Sequence, residues 1–481
     1  MSVALECEPG AHPGSSLLFD YLLSLVSLYA LVTLIAVTHI LLYKRDSRAA
    51  LGWLGLVVLF PIAGSALYLL FGINRVQRKA QRISLRVEPE GGRRREGLLA
   101  EGGDALRNVG YGITGSGLSP GNAVRCYYDG EQAFPAMLAA IAGARRELLL
   151  STYIFDNDAT GRQFVAALAA ARERGVEVRV LVDDFGLRYS FPTILRQLRQ
   201  ARLPYRRFMP LRLFPPSLSI NLRTHRKILV VDRARGFAGG MNIGDRQRVN
   251  GTSPHRASDL HFGFAGPVVE DFAGLFAEDW KFAGGEALPA IPPAWLPAGS
   301  AEVRVISDGP DETLDSLTLL IMGALSSARQ RAWIVTPYFL PERALFGCLQ
   351  AASLSGVDVR VMLPEKNNWA VVQWALQHNM AELLDLGVRI MRRPPPFAHS
   401  KCILIDNDYV LVGSMNLDAR SLRLNFELGV EVFDPALNRE LSEHFSALEA
   451  GCRPFTLAQL KGRSVPARLR DAAAALFAPY L

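Results

Sequence analysis

The chain has 481 residues, a length typical of more than one domain. Apolar residues make up 49% of it and charged residues 21%, which excludes disordered, collagen-like and acidic-tail proteins. Its net charge of +7 is unevenly placed, because residues 74–95 contribute +6 and residues 96–481 only +2. A nearly neutral large C-terminal part disfavours a duplex-binding surface. Basic charge beside apolar segments instead suits a protein that faces anionic lipid head groups.

Two long apolar segments near the N-terminus predict a transmembrane hairpin. Residues 21–43 and 49–73 are each long enough to cross a hydrocarbon core of about 30 Å, and only residues 44–48 separate them. In a soluble core, both helices would have to be buried on every face. A cleaved signal peptide would have a basic first flank and a shorter apolar run. We therefore predict two spans within an N-terminal region, residues 1–95, that ends in a basic flank.

Basic residues beside the spans predict the orientation through the positive-inside rule. The flank after the second span carries more of them than the turn does: Arg75, Arg78, Lys79, Arg82 and Arg86, against Lys44, Arg45 and Arg48. Two spans also place both ends of the hairpin on one side of the membrane. We therefore predict a multi-pass protein of the cell (inner) membrane with a cytoplasmic catalytic part.

The rest of the chain contains an internal repeat. Residues 96–122, rich in Gly, Ser and charge, suit a linker, and the Pro-rich residues 288–300 separate the two halves that follow. Each half has a strand, helix, strand pattern, in which GVEVRVLV of the first half matches GVDVRVML of the second. The predicted elements are strand 147–155, helix 160–174 and strand 176–183, then strand 332–339, helix 341–355 and strand 357–363. We predict an α/β fold of two pseudo-twofold lobes, residues 123–287 and 301–481, each a mixed sheet flanked by helices.

The strongest self-similarity is a motif that recurs with a fixed offset of 174 residues. HRKILVVDRARGFAGGMN in the first half matches HSKCILIDNDYVLVGSMN in the second. The shared positions are His225, Lys227, Asp232, Gly239 and Asn242, then His399, Lys401, Asp406, Gly413 and Asn416. A single H-x-K is uninformative, but five positions repeated in register on strand-like segments indicate a shared site.

The residue types of the motif suit chemistry on a phosphate diester. In a strand, His225 and Lys227 point to one face and Asp232 to the other, so we interpret Asp232 and Asp406 as supports, with turn formation or strand-end capping as alternatives. Two Lys and two Asn (Lys227, Lys401, Asn242 and Asn416) would hold the anion without a metal ion. Of the two imidazoles, one would be the nucleophile and the other would protonate the leaving oxygen.

Each imidazole needs an acceptor that fixes its tautomer. Asp259, in the segment after the first motif, and Glu427, in the segment after the second, follow their histidines at similar spacing, 34 and 28 residues. We predict them as supports that orient the histidines, although a solvated surface charge is the alternative for each. The five cysteines are scattered, and clustered carboxylates or His/Cys ligands are lacking, so we predict no disulfide framework, metal or cofactor.

The double motif resembles the signature of the phospholipase D superfamily, H-x-K-x4-D followed by G-[GS]-x-N. Within that superfamily the chain is similar to bacterial cardiolipin synthases, through YIFDNDATG, FAEDW, TPYFLP and the apolar hairpin. The resemblance implies that one phosphatidylglycerol transfers its phosphatidyl group to a second, giving cardiolipin and glycerol. It further implies His225 as the nucleophile that forms a phosphohistidine and His399 as general acid and then base, or the reverse. The motif residues His225, Lys227, Asp232, His399, Lys401 and Asp406 are then the catalytic set.

Three other functions fit parts of the pattern. A phospholipase D hydrolase or head-group exchange enzyme would use water or another alcohol on the same phosphohistidine. A nuclease is disfavoured by the membrane segments and the nearly neutral body, so we expect phospholipid partners and no nucleic acid. A non-catalytic membrane scaffold is disfavoured by the intact His, Lys and Asn pairs. The acyl-chain preference and the oligomeric state stay open.

Overall fold

The computed structural model of the chain describes residues 13–44, 47–72, 104–210, 222–310 and 315–478. The chain divides into two compact units, Met1–Arg78 and Lys79–Leu481. The basic flank predicted at residues 74–95 lies outside the described residues.

The first described element of the N-terminal unit is a long apolar helix, α1 (Pro13–Tyr43). Within the described residues one helical segment, Leu23–Tyr43 of α1, is long and apolar enough to cross a membrane. Its large apolar side chains are mostly exposed, as expected of a helix whose surroundings are lipid rather than a protein core. This segment corresponds to the first predicted span.

The second apolar segment is broken, so the prediction of a second continuous span is not confirmed. It consists of helices α2 (Ser47–Leu59) and α3 (Pro61–Leu67), followed by a π-helical turn, Tyr68–Gly72. The break lies at Phe60, which has φ −133° and ψ 68°, because proline disfavours the helical conformation of the residue before it. Helix α2 has 13 residues and is too short to cross a bilayer by itself.

In the large unit the first described helix is α4 (Ala105–Thr114), and the two repeats follow it. The first repeat comprises β1 (Ser119–Tyr128), α5 (Asp129–Gly143), β2 (Glu147–Thr152), α6 (Ala159–Glu173), β3 (Glu177–Asp183), α7 (Leu195–Gln200), β4 (Tyr205–Phe208), β5 (Ile228–Val231), β6 (Arg235–Gly239), β7 (Ala257–Ser258), β8 (Leu260–Ala265) and α8 (Val268–Phe282). The second comprises β9 (Ala301–Asp308), α9 (Ser316–Ser327), β10 (Arg331–Val335), β11 (Phe339–Leu340), α10 (Arg343–Leu354), β12 (Asp358–Pro364), α11 (Ala370–Asp385), β13 (Arg389–Arg393), β14 (Phe397–Ala398), β15 (Cys402–Ile405), β16 (Tyr409–Gly413), β17 (Leu417–Asp418), α12 (Ala419–Leu424), β18 (Glu427–Phe433), α13 (Pro435–Glu449), β19 (Arg453–Pro454), α14 (Leu457–Lys461) and α15 (Val465–Ala475).

The two repeats form one continuous mixed sheet. In the described part of the chain it has fifteen strands, in the order β19-β13-β12-β10-β15-β16-β18-β9-β1-β8-β6-β5-β2-β3-β4. Counted outward from the central antiparallel pair β9 and β1, the seven strands of the first repeat match the first seven of the second, so that β5 corresponds to β15 and β3 to β12, and β19 is left over at the edge. The α/β mixed-sheet fold with two repeats is therefore confirmed.

The repeats are joined more closely than we predicted. Because β1 pairs with β9, the two predicted lobes share a sheet and belong to one compact unit. The predicted linker at residues 96–122 is folded where the structure describes it, since α4 and the start of β1 lie there. Residues 288–300, the predicted Pro-rich linker, contain no regular secondary structure and are mostly exposed.

Candidate active site

The two motifs lie at the starts of β5 and β15, strands of four buried residues in the middle of each half of the sheet. His225 and His399 therefore precede their strands rather than lying within them. The backbone N–H of His225 donates to the carbonyl of Phe426 at 2.9 Å, and that of His399 donates to Ser258 at 2.8 Å. Each motif is thus fixed to the repeat that does not contain it.

The two supporting carboxylates are exchanged between the repeats. His225 Nδ1 lies 3.1 Å from Glu427 Oε1 of the second repeat. His399 Nδ1 lies 2.6 Å from Asp259 Oδ2 of the first repeat. Both carboxylates are buried. The sequence spacing identified the two acids, but it gave no sign that each contacts the histidine of the other motif.

Glu427 is surrounded by donors. Ser421 Oγ donates to its Oε1 at 2.7 Å, Asn425 Nδ2 donates to the same oxygen at 3.2 Å, and the Ser414 hydroxyl donates to Oε2. Burial alone would raise the pKa of Glu427, but His225, Lys227 and the Ser414 hydroxyl hold it below its ordinary value. The carboxylate is therefore ionised and fixed in place beside His225.

Asp259 is held in a comparable way on the other side. Leu260 N donates to its Oδ1 at 2.8 Å, and its own backbone N–H donates to Asp129 Oδ1 at 2.9 Å. The Asp129 N–H in turn donates to the Asp259 carbonyl at 2.9 Å. This contact fixes the short segment that also bonds the backbone of His399.

The motif lysines fold back on their own histidines. Lys227 Nζ donates to the carbonyl of His225 at 2.6 Å, and Lys401 Nζ donates to that of His399. Lys401 Nζ also lies 3.1 Å from His399 Nδ1. Burial lowers the pKa of Lys227 to about 7 and that of Lys401 to about 8. Burial thus disfavours the charged form of both lysines, and an anion beside them would stabilise the ammonium groups.

Both imidazoles are neutral at neutral pH. Burial lowers the pKa of His225 to about 4, and the adjacent Lys227 ammonium contributes in the same direction. Burial and Lys401 lower the pKa of His399 to about 4 as well. His399 Nδ1 is hydrogen-bonded to Asp259 and His225 Nδ1 lies 3.1 Å from Glu427, so a proton on each Nδ1 would face a carboxylate and leave the lone pair on Nε2. A neutral imidazole oriented in this way can act as a nucleophile or as a base.

Asn242 and Asn416 line the same cavity as the histidines, and both are buried. Asn242 Oδ1 accepts the backbone N–H of Ile154 at 3.1 Å, which leaves the Nδ2 donors of Asn242 available to a ligand. The Asn416 backbone N–H donates to Ser421 Oγ at 2.8 Å, so Asn416 is tied to the serine that also supports Glu427.

Asp232 and Asp406 lie at the far ends of the motif strands. Asp232 accepts backbone N–H groups of residues 145–147 at 2.7–3.2 Å, and Asp406 accepts those of residues 329–331 at 2.7–3.2 Å. Both residues have positive φ, 52° and 48°, which is typical of Asp in turns. This placement assigns them to the support of the turn before β2 or β10. Because the strand separates them from the histidines, we propose that both act as supports rather than as members of the catalytic set.

The site opens into a cavity of about 1390 Å³ lined by both repeats. Among the described lining residues, eight are Arg or Lys and three are carboxylates: Arg188, Arg223, Lys227, Arg246, Arg256, Lys366, Arg393 and Arg420, with Asp129, Glu365 and Asp418. Aromatic and aliphatic side chains, including Phe185, Tyr338 and Phe397, share the lining. The cavity suits an anionic ligand that also has apolar parts.

Sequence reasoning missed a third buried acid near the site. Asp183, at the end of β3, accepts the Thr224 backbone N–H at 3.1 Å and the Phe185 N–H at 2.9 Å. It thereby positions the residue before His225, and burial raises its pKa to about 7. The sequence signal for this acid was its position directly after GVEVRVLV. The second repeat has Pro364 at the equivalent position after GVDVRVML, so Asp183 breaks the repeat.

Over the described ranges, no group of three or more His, Cys, Asp or Glu side chains is arranged to hold a metal ion.

Comparison with known proteins gives consistent matches. The family described as "Cardiolipin synthase, PLD-like domain" matches residues 137–251 and 321–449, about half of the chain, and each match contains one motif. A second family, described as phospholipase D-nuclease N-terminal, matches residues 31–72.

Two curated relatives and one solved structure extend over most of the chain. Cardiolipin synthase A of Pseudomonas entomophila is 32% identical over 88% of this chain and 90% of its own length. The major cardiolipin synthase of Bacillus subtilis is 30% identical over 95% of this chain and 99% of its own. The crystal structure of phosphatidylserine synthase from Haemophilus influenzae superimposes with a TM-score of 0.60 over 79% of this chain and all of that one, at 13% identity, so it supports the fold alone.

Proposed function

The chain belongs to the family of cardiolipin synthases with phospholipase D-like domains, and we propose that it makes cardiolipin and glycerol from two phosphatidylglycerol molecules. The observation that carries the proposal is the pair of imidazoles at one cationic cavity, each within 3.1 Å of a buried carboxylate of the opposite repeat. Two oriented imidazoles suffice for a two-step transfer of a phosphatidyl group through a covalent intermediate.

In the proposed first step, Nε2 of His225 attacks the phosphorus of one phosphatidylglycerol. A nitrogen–phosphorus bond forms, the phosphorus–oxygen bond to the head-group glycerol breaks, and His399 supplies the proton that the departing oxygen takes up. His399 must be protonated for this step, and the phosphodiester anion raises its pKa by bringing negative charge into a buried site. Free glycerol leaves, and the phosphatidyl group remains on His225.

In the proposed second step, a hydroxyl of another phosphatidylglycerol attacks the phosphohistidine. His399, now neutral, takes the hydroxyl proton, the nitrogen–phosphorus bond breaks, and cardiolipin leaves. His225 returns to its neutral form and His399 is protonated again, so the cycle balances. Because the motifs are nearly symmetric, the reverse assignment obeys the same chemistry, and trapping the phosphohistidine distinguishes the two.

Lys227, Lys401, Asn242 and Asn416 would hold the non-bridging phosphoryl oxygens during both steps. The two ammonium groups lie beside the histidines, and the Asn242 amide has donors available for an oxygen ligand. Such donors stabilise the charge that builds up on phosphorus oxygens in the transition state.

For the N-terminal unit we propose a hairpin that crosses the cell membrane twice, with the catalytic unit on the cytoplasmic side. Helix α1 supplies the first crossing. The apolar helices α2 and α3 with the π-helical turn, residues 47–72 together, would supply a kinked second crossing. The excess of basic residues after position 74 supports the cytoplasmic orientation.

The deciding experiment is incubation of the purified full chain with phosphatidylglycerol alone, in mixed micelles without added metal. Lipid products and free glycerol are resolved by mass spectrometry. Cardiolipin and glycerol in equal amounts are expected. Phosphatidic acid and glycerol without cardiolipin would identify water as the acceptor and make the protein a phospholipase D hydrolase.

A further inference from the structure

Two loops at equivalent positions of the two repeats contribute residues to the cavity lining. Strands β3 and β12 occupy matching positions in the two halves of the sheet, and each is followed by a loop that lines the cavity. We call these loops, residues 184–194 and 365–369, the mouth loops. Both present an exposed aromatic side chain and an exposed cation: Phe191 with Arg188, and Trp369 with Lys366.

The exposure of these aromatic side chains is large. Phe191 is 97% exposed and Trp369 is 60% exposed, and Tyr189 beside Phe191 is also exposed. A phenylalanine left in water forgoes the stabilisation that burial would provide. Tyr189 and Trp369 line the cavity, and Phe191 lies two residues after Tyr189 in the same loop. Exposed aromatic side chains beside a binding site are typical of an interaction surface.

Hydrogen bonds fix the first mouth loop in this arrangement. The Asn157 backbone N–H donates to Ser190 Oγ at 3.0 Å, and Asn157 Nδ2 donates to the Pro192 carbonyl at 2.9 Å. These two bonds enclose Phe191. The side chain therefore projects from an anchored backbone rather than from a free loop.

The second mouth loop is anchored through another asparagine. Asn367 Nδ2 donates to the Pro337 carbonyl at 3.1 Å, and its backbone N–H donates to Gln373 Oε1 at 3.0 Å. The Trp369 N–H donates to Asn367 Oδ1 at 3.1 Å. Trp369 is thus held at the start of α11 with its ring outward.

The charge around the opening is positive. The carboxylates of the mouth loops are engaged, since Asp184 lies 3.0 Å from Arg207 and 3.6 Å from Arg188, and Glu365 lies 2.7 Å from Arg453. Arg256 and Lys366 are exposed at the cavity lining. Exposed cations beside aromatic rings complement an anionic lipid surface, where head groups take the cations and Trp and Phe enter the interface.

We propose that the mouth loops dock the catalytic unit on an anionic phospholipid bilayer, with Phe191 and Trp369 inserted at head-group depth. The choice of a bilayer as the partner rests on the proposed function, because both lipid substrates then reach the cavity without leaving the membrane. The two loops come from the two repeats, so docking places the cavity opening toward the lipid surface.

Lipid contact is measured directly with the full chain reconstituted in vesicles of phosphatidylcholine and phosphatidylglycerol in equal parts. Brominated acyl chains quench tryptophan fluorescence at short range. The wild type is expected to lose more fluorescence than Trp369→Phe, since the other tryptophans are common to both proteins. Equal losses of fluorescence in the wild type and in Trp369→Phe would overturn the proposal. The same result is expected if the loops bind a protein rather than a bilayer.

Docking is tested separately by activity. Phe191→Ser is expected to lower kcat/KM about tenfold on phosphatidylglycerol vesicles, a modest share of the transfer free energy of a phenylalanine. On a short-chain phosphatidylglycerol dissolved below its micelle concentration, the variant should match the wild type within about twofold. Leu354→Ser is the matched control, because Leu354 is an exposed apolar residue at the end of α10 and lies outside both mouth loops.

The outcomes separate the two proposals. A wild type that forms no cardiolipin from either substrate would overturn the proposed function, whereas the quenching measurement would still report docking. Equal losses on vesicles and on the dissolved substrate, or an equal loss in Leu354→Ser, would overturn docking and leave the proposed function standing.

Discussion

Glu427, which follows the second motif, lies 3.1 Å from His225 of the first motif. The reciprocal contact joins His399 to Asp259 at 2.6 Å. Backbone pairing between the repeats brings each histidine to the carboxylate of the other repeat. Thr224 forms a β-bridge with Phe426, and β14 pairs in parallel with β7. Each repeat by itself thus contains a histidine without its carboxylate, so neither repeat can form a complete acid–base pair.

Because each histidine contacts the carboxylate of the other repeat, variants of His399 and Asp259 should affect the same catalytic step. Asp259→Asn and His399→Ala remove two parts of one unit, so each should lower kcat by about 10²–10⁴-fold, and their combination should lower it little further. The non-additivity is measured by a double-mutant cycle on kcat. Asp259→Asn combined with Glu427→Gln affects both units and serves as the comparison. Additive losses for Asp259→Asn with His399→Ala would contradict the pairing.

Substitution of either histidine should abolish turnover for different reasons. His225→Ala removes the proposed nucleophile and should leave no covalent intermediate. His399→Ala removes the proton donor and acceptor, so its intermediate, once formed, should decay slowly. Rapid quenching with labelled phosphatidylglycerol, followed by mass spectrometry of the peptides, locates the phosphohistidine. Label on His399 in the His225→Ala protein would reverse the roles, and a wild-type rate in either variant would refute the mechanism. Unchanged membrane insertion is the control for folding.

Much of the site could be predicted because its histidines, lysines and asparagines belong to a short sequence motif that occurs twice. His225 and His399 with their lysines recur at a fixed offset, and the alternation of side chains in a strand already separated Asp232 from them. The motif identifies residue types and their spacing, but it does not specify which partner lies across the repeat boundary. That information resides in the pairing of Thr224 with Phe426 and of Ala398 with Ser258, contacts more than 100 residues apart in sequence.

The fold was predicted less completely where tertiary pairing decides it. Residues 119–122 look like linker in composition, yet they form the start of β1 because β9 offers a free edge beside them. The second apolar segment has the composition of a membrane span, but Pro61 interrupts its helix after Leu59. Composition and periodicity thus identified the helices and strands. The pairing of β1 with β9 determined where β1 starts, and Pro61 determined where α2 ends.

The two motif aspartates should affect stability and leave chemistry unchanged. Asp406→Ala removes the acceptor of three backbone N–H groups, which are partly exposed to water, so we expect a loss of about 2 kcal/mol in the free energy of unfolding. The remaining folded protein should keep its kcat. Thermal unfolding and activity per folded molecule are measured side by side, with the exposed Asp385→Ala as control. A large fall in kcat at unchanged stability would return Asp406 to the catalytic set.

The buried site predicts a displaced pH profile for kcat/KM, which reports the free enzyme. The proposed nucleophile His225 acts in its neutral form, so the acid limb should lie near pH 4, the value to which burial lowers the pKa of His225, rather than near pH 6.5. At the alkaline end, Lys227 and Lys401 lose their protons near pH 7 and 8, and the affinity for the phosphate anion falls with them. Lys401→Arg, which keeps its charge, should extend the alkaline limb upward. An acid limb at pH 6.5 in the wild type would show that His225 titrates as it does in water, and would contradict its burial beside Lys227.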